Sequence, residues 1–211
     1  MTAYVKNACV PPHLVDSRDP PAIVVLKEDH QIFRALFDLV ETIGEDVLFP
    51  IAGEICIRLA IHMNLEEEFL YPSLKPVLDA GEMDEVMLDH QRAKLLISNV
   101  MDMAGPKAPL RAELQRLGVE VIRHADEEDR ELLRRARLAW EQGEVDLVGI
   151  GIQMQSRRRD LFTLVGSTAP ETCAFDVDLP ADAVECVTQS GSTLDGEAWP
   201  EPADWVSHAR H

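Results

Sequence analysis

The sequence predicts an all-α protein, an antiparallel up-down four-helix bundle with an additional fifth helix and an acidic, irregular C-terminal tail. Apolar residues recur at alternating steps of three and four over long stretches, which is the period of an amphipathic helix. Short segments containing proline or glycine separate these stretches, and short connections favour antiparallel neighbours. The length of 211 residues, 46% of them hydrophobic, suits one well-packed domain with extra segments.

The helix boundaries follow from local signals along the chain. Residues 1–19 form an irregular lead-in, and Asp19 followed by Pro20 and Pro21 is a typical helix start. A glycine or a proline then marks each later boundary, with Tyr71-Pro72 expected to close the second helix. The predicted helices span about 20–43, 48–70, 82–104, 109–141 and 144–165. The bundle is therefore assigned to 20–142, the accessory helix to 143–165 and the tail to 166–211.

Charge and cysteine usage exclude several classes of partner. The formal net charge of -18 argues against nucleic acid and anionic membranes, because phosphate binding needs clustered Lys and Arg. No window of 18 apolar residues and no signal peptide are evident. Four scattered cysteines without a CxxC indicate free thiols in a reducing, cytoplasmic environment. The acidic tail, which is too polar to form a core, is the candidate contact for a protein partner.

Each of the four main apolar stripes contains one histidine, and two of them carry a glutamate one helical turn later. The other histidines of the chain lie in the tails. Each predicted turn falls midway between consecutive stripe histidines, so an antiparallel bundle places the four imidazoles at one level. The glutamates enter that level from the second and fourth helices, which are diagonal neighbours. The six residues are His30, His62, Glu66, His90, His124 and Glu128.

A bound metal is the simplest compensation for burying these six polar groups. Burial without partners costs several kcal/mol per carboxylate, against about 5–15 kcal/mol of net stability for a whole domain. Nitrogen and carboxylate ligands without thiolate suit Fe, Mn, Zn or Ni. Six ligands exceed one tetrahedral zinc and fit two metals, each bound by two imidazoles, with both carboxylates bridging. The Glu-x-x-His spacing of ferritin-like sites is absent.

The pattern resembles the hemerythrin-like HHE cation-binding domains. The resemblance covers about 22–142 and rests on two H…HxxxE units, EDHQIFRALFDLVE with HMNLEEEFLYP, then LDH with HADEE. It implies a non-haem di-iron centre, two iron ions with an oxo or hydroxo bridge. The terminal ligands would be His30, His62, His90 and His124, and the bridging ligands Glu66 and Glu128. Oxygen-carrying members have a fifth histidine near the third-helix ligand, where this chain has Val86 and Lys94.

The missing histidine favours sensing or reactivity over stable oxygen carriage. We expect a protein that binds or senses a small ligand, O2, NO or peroxide. The alternatives are an enzyme that consumes peroxide or NO or donates iron for iron-centre repair, and a protein for iron sensing or storage. Glu67, Glu127 and Asp129 flank the ligand positions and are candidates for accepting imidazole N–H groups, although solvated helix charges are the preferred interpretation. The arginine run 157–159 is interpreted as a charged face.

Overall fold

The computed structural model describes residues 18–103 and 109–165, and this part of the chain is helical without strands. The predicted all-α fold is confirmed. The tail, most of the lead-in and the turn at 104–108 lie outside the described residues. The α-helices are α1 (Pro21–Val40), α2 (Glu45–Leu65), α3 (Tyr71–Leu74), α4 (Ala80–Asp102), α5 (Leu110–Glu127), α6 (Leu133–Glu141) and α7 (Leu147–Leu164), and the π-helical turns are π1 (Glu66–Leu70) and π2 (Glu128–Leu132).

Four rods form the predicted bundle. A single rod runs through α2, π1 and α3, another through α5, π2 and α6, and the remaining two are α1 and α4. Helix α1 packs against α2 and α5, and α4 packs against the same two helices, so α2 and α5 are diagonal neighbours. Helix α7 lies outside these rods, against α1 and α2. In the described residues no helix is both long and apolar enough to cross a membrane.

Two hydrophobic clusters fill the interior, one towards each end of the bundle. The first joins the start of α1 to α3, α6 and α7, and contains Leu26, Leu70 and Leu133. The second joins the other end of α1 to α2, α4 and α5, and contains Phe33 and Leu114. On α1 the buried histidine stands between Leu26 and Phe33, where one cluster gives way to the other. A polar layer therefore crosses the bundle between two apolar cores.

The second helical rod does not close at Tyr71-Pro72, and that prediction is wrong. The rod continues through the π1 turn into α3, where Pro72 occupies the first helical turn. Because a proline has no N–H, the helical hydrogen-bond ladder lacks one donor at Pro72, yet the rod continues to Leu74. The next rod begins at a capping box, in which Asp79 accepts from the Glu82 backbone N–H and the Glu82 side chain accepts from the Asp79 N–H.

The two π-helical turns were not predicted, and they change which side chains face the core. Each begins at a glutamate of the polar layer, Glu66 or Glu128. A π turn accommodates one extra residue, so later side chains rotate by about one residue's 100° relative to a straight α-helix. A straight helix placed Phe69 on the apolar stripe, whereas the structure leaves Phe69 half-buried and buries Leu70 completely.

Candidate metal centre

The structure brings the six predicted side chains together in two overlapping groups. The first group is His30, His62, Glu66 and Glu128, and the second is Glu66, His90 and His124; within each group the ligand atoms lie within 4.8 Å of one another. The ring centroids are 5.0 Å apart in the His30–His62 pair and also in the His90–His124 pair. Glu66 belongs to both groups, and Glu128 Oε2 lies 3.4 Å from His30 Nε2 and 3.6 Å from His124 Nε2, so each carboxylate is close to both pairs of imidazoles.

Several atoms of this layer are buried without hydrogen-bond partners among the described residues. They are His30 Nε2, Glu66 Oε1 and Glu128 Oε2. The nearest approach of His30 Nε2 to the Glu128 carboxylate is 3.4 Å, longer than an ordinary hydrogen bond. Unsatisfied polar atoms on this scale are costly in a core. Their inward orientation is the arrangement that ligands of a common ion require.

The spacing of the ring nitrogens also fits shared ligation. His90 Nε2 lies 3.2 Å from His124 Nε2. Two nitrogens that bind the same ion, each at a distance of about 2.0–2.1 Å, lie roughly 3 Å from each other. His62 Nε2 lies 3.3 Å from Glu66 Oε2, and His90 Nε2 lies 3.2 Å from the same oxygen. The residues present therefore fit a metal centre with imidazole and carboxylate ligands.

The outward nitrogen of every imidazole faces a carboxylate of a neighbouring helix. Each carboxylate contacts the histidine of the next rod along the chain, and the carboxylate of the last rod contacts the histidine of the first. The four contacts are Asp29 to His62 Nδ1 at 3.1 Å, Glu67 to His90 Nδ1 at 2.8 Å, Asp89 to His124 Nδ1 at 3.6 Å, and Asp129 to His30 Nδ1 at 2.9 Å. An Nδ1–H donated outward leaves Nε2 unprotonated inside the site, which is the tautomer that binds metals.

Each of these four carboxylates contacts a basic side chain in turn. The pairs are Asp129 with Arg34 at 3.0 Å, Glu67 with Lys94 at 2.7 Å, Asp89 with Arg123 at 2.8 Å, and Asp29 with Arg158. Four imidazole–carboxylate–cation chains therefore surround the layer. Because each outer carboxylate is paired with a cation, Glu66 and Glu128 carry most of the uncompensated negative charge next to the imidazoles.

Carboxylates raise the pKa of two imidazoles in the metal-free protein. Burial alone would lower the pKa of His30, but Asp129 and Glu128 raise it to about 10. Burial likewise opposes protonation of His90, and Glu66 and Glu67 raise its pKa to about 9. Protons thus take the compensating role that a cation plays when metal is bound.

Tyr71 is a further site residue that the sequence reasoning missed. Its buried hydroxyl donates to Glu128 Oε1 at 2.9 Å and lies 3.0 Å from His90 Nε2 and 3.5 Å from Glu66 Oε2. Nine residues after His62, a straight α-helix would turn Tyr71 to the opposite face; the π1 turn removes about 100° of that rotation. Burial and the nearby glutamates raise the pKa of Tyr71 well above its ordinary value, so the hydroxyl is protonated.

The preferred interpretation of the flanking acidic residues as solvated helix charges is wrong for Glu67 and Asp129. Glu67 and Asp129 do accept from imidazoles, whereas Glu127 instead pairs with Arg123. Asp29 and Asp89 were missed. Each directly precedes a stripe histidine, and this repeated Asp-His pair was the available signal in the sequence.

The fold and the site together define a class, a four-helix bundle whose buried histidine and carboxylate side chains could hold a metal ion. The chain belongs to the hemerythrin HHE cation binding domain family, which matches residues 22–136. No curated protein and no solved structure matches the chain. The suspected resemblance is therefore confirmed at the level of the family.

Proposed function

We propose that the protein is a non-haem di-iron protein that binds or senses a small ligand, O2, NO or peroxide, at the buried layer. The observation that carries the proposal is the convergence of four imidazole nitrogens and two carboxylates, among which His30 Nε2, Glu66 Oε1 and Glu128 Oε2 have no hydrogen-bond partner in the described residues. His30 and His62 would bind one ion, and His90 and His124 would bind the other. Glu66 lies in both groups. Glu66 and Glu128 would bridge them.

A small cavity beside the imidazoles supports a small ligand. Its volume is about 20 Å³, room for about one water molecule. All four histidines contribute to its lining, together with the apolar side chains Phe33, Leu59, Met63, Ala93, Val121 and Ala125. Tyr71 is not part of this lining and contacts the two bridging carboxylates instead. The site thus has an apolar side for an uncharged ligand and a separate polar side.

The cavity also has a direction of approach. Asp89 and Glu120 line it, and His124, with 12% of its side chain exposed, is the most accessible of the four imidazoles. The other three imidazole side chains are at most 4% exposed. Ligands would therefore enter between α4 and α5, next to His124.

Tyr71 favours a second candidate function, an enzyme that consumes peroxide. Cleavage of H2O2 to water requires a proton at the departing oxygen, and the protonated phenol of Tyr71 can donate one to peroxide bound on the polar side of the layer, rather than in the apolar cavity. Two bound ferrous ions would supply the two electrons that one cleavage consumes, and continued turnover would need an external reductant to return them to the ferrous state. The two candidates differ in outcome, because a binding protein gives a stoichiometric spectral change while an enzyme continues to turn over.

The first test is the metal content of protein purified under anaerobic conditions, followed by its absorption spectrum on addition of O2, NO or peroxide. The proposal expects two irons per chain and a near-ultraviolet charge-transfer band. Absence of iron, or a single zinc, would contradict it.

A matched pair of variants tests the site itself. Glu66→Gln removes the shared carboxylate and is expected to lower iron content from two per chain to one or none, because both clusters use this side chain. Glu68→Gln is the control, since Glu68 lies in the same π turn but is exposed and pairs with Arg157. Equal iron content in the two variants would refute the ligand assignment.

A further inference from the structure

Helix α7 lies outside the family match yet contacts the candidate metal centre. The match ends at residue 136, and α7 spans Leu147–Leu164. The helix packs closely on the start of α1 at Gly151, where an added Cβ would lie 2.4 Å from the Ala22 backbone nitrogen. From there, α7 continues to the arginine run at 157–159.

The middle arginine of that run points into the bundle. Its guanidinium Nη2 bonds to Asp29 Oδ2, the same oxygen that accepts from His62 Nδ1. The side chains of Arg158 and Asp29 are only 15% and 12% exposed. The neighbouring Arg159 is exposed, and Arg157 pairs with Glu68 at the surface. The interpretation of the whole run as a charged face is therefore wrong for Arg158.

The bundle helices show why this contact comes from outside. Arg34 and Lys94 each lie four residues after the histidine of their own helix, and each binds the carboxylate that serves that histidine. In the other two rods the position four residues after the histidine is occupied by a glutamate of the polar layer, Glu66 or Glu128. Helix α5 instead supplies Arg123, next to His124, for Asp89. Among the contacts described, the arginine that binds Asp29 is Arg158 of α7.

We infer that Arg158 is a positioning residue for the ligand His62, so that α7 is part of the metal centre. This inference rests on the proposed metal binding. The guanidinium holds Asp29 in place and balances its charge, and Asp29 orients the imidazole and fixes its tautomer. Without Arg158, a mostly buried carboxylate would lose its cation, and the His62 Nε2 lone pair would no longer be held towards the ion.

The test measures Fe²⁺ affinity of the full chain under anaerobic conditions, by competition with a chromophoric chelator. Arg158→Gln is expected to weaken binding at one of the two sites by about 10-fold, the lower end of the loss expected for a ligand's direct outer partner, because Arg158 acts on His62 through Asp29. Arg159→Gln is the matched control and should bind as the wild type does. Arg158→Lys, which keeps the charge with a different reach, should fall between them and replaces the glutamine variant if that variant does not fold.

A double-mutant cycle separates positioning from a general loosening of α7. Asp29→Asn alone should weaken the same site, and adding Arg158→Gln should then have little further effect, because both changes break one chain of contacts. Equal affinities for Arg158→Gln and Arg159→Gln, or additive losses in the double variant, would overturn the inference. Wild-type protein that takes up no Fe²⁺ would instead refute the proposed function, and the inference with it.

Discussion

At the scale of single residues, the site is organised by hydrogen bonds outside the ligand set. His30, His62 and His90 donate outward to carboxylates, and the outward nitrogen of His124 lies 3.6 Å from Asp89. Each of these carboxylates is held by a basic side chain. Such outer contacts determine which ring nitrogen is free to bind a metal. A histidine on an apolar stripe is thereby converted from a generic buried side chain into an oriented ligand.

Tyr71→Phe tests the polar side of the site at this scale. The variant removes the hydroxyl that donates to Glu128 and contacts His90, so the metal-free protein should lose about 1–3 kcal/mol of unfolding free energy. Denaturant titration in the presence of a chelator measures this loss. Iron content should stay at the wild-type value because all six ligands remain.

The same variant distinguishes the two proposed functions. If the protein consumes peroxide with Tyr71 as the proton donor, turnover should fall by about 100-fold or more. If it binds or senses a ligand, the stoichiometric spectral change should persist. Unchanged stability together with unchanged chemistry would show that the hydroxyl contributes neither the hydrogen bonds nor the proton.

At the scale of the elements, the π-helical turns and the docking of α7 determine which side chains reach the layer. Both π turns begin at a glutamate of the polar layer, and both continue into a short α-helix. The residues that follow them differ: Tyr71 enters the polar layer in the first repeat, while the equivalent Leu133 is buried in an apolar cluster. The two rods therefore contain the same kind of π turn, but the residue after the turn is polar in one rod and apolar in the other.

Gly151→Ala tests the docking of α7. The new Cβ would meet α1 backbone atoms at 2.4–2.6 Å, which backbone cannot accommodate without moving, so we expect a loss of about 1–3 kcal/mol in unfolding free energy. Gly81→Ala is the control, because its Cβ meets only the Asp79 side chain at 3.3 Å and alanine favours the helix. A Gly151→Ala variant as stable as this control would contradict the close contact.

At the scale of the whole molecule, the polar layer separates two hydrophobic clusters and makes stability depend on what neutralises it. In the metal-free protein, the raised pKa values of His30 and His90 indicate that protons do so. In the loaded protein, cations would displace these protons. Metal binding and protonation therefore compete for the same charge compensation.

This competition predicts the pH dependence of stability. A histidine whose folded pKa exceeds its unfolded value stabilises the fold fully below about pH 6.5, and loses that contribution as pH rises towards the folded values of about 9 and 10. The metal-free protein should accordingly lose on the order of a few kcal/mol between pH 6.5 and 10. Thermal unfolding with chelator across this range measures it, and a stability that rises with pH would contradict the assignment.

Metal-loaded protein provides the comparison for that experiment. Its two imidazoles need no protons to balance the carboxylates, so its melting temperature should change less over the same range. The difference between the loaded and metal-free forms should therefore widen as pH rises. Parallel curves would mean that the metal does not bind at these histidines.

Helical periodicity and the positions of the turns were sufficient to predict the bundle and the level at which the six polar residues meet. Those features depend on local backbone geometry, which repeats regularly along a helix. His30, His62, His90 and His124 could be aligned because each predicted turn lies midway between two of them. Solvation energetics then indicated that such a layer needs a compensating ion.

Tertiary structure alone decided the π turns, the entry of Tyr71, the ring of outer carboxylates and the contact of Arg158 with Asp29. One extra residue in a turn changes the direction of every side chain after that turn. A projection that assumes a straight α-helix cannot represent this change. The basic side chain that binds an outer carboxylate likewise comes from a helix far away in the sequence. Local periodicity thus placed the six candidate ligands at one level, and long-range packing determined which side chains hold them there.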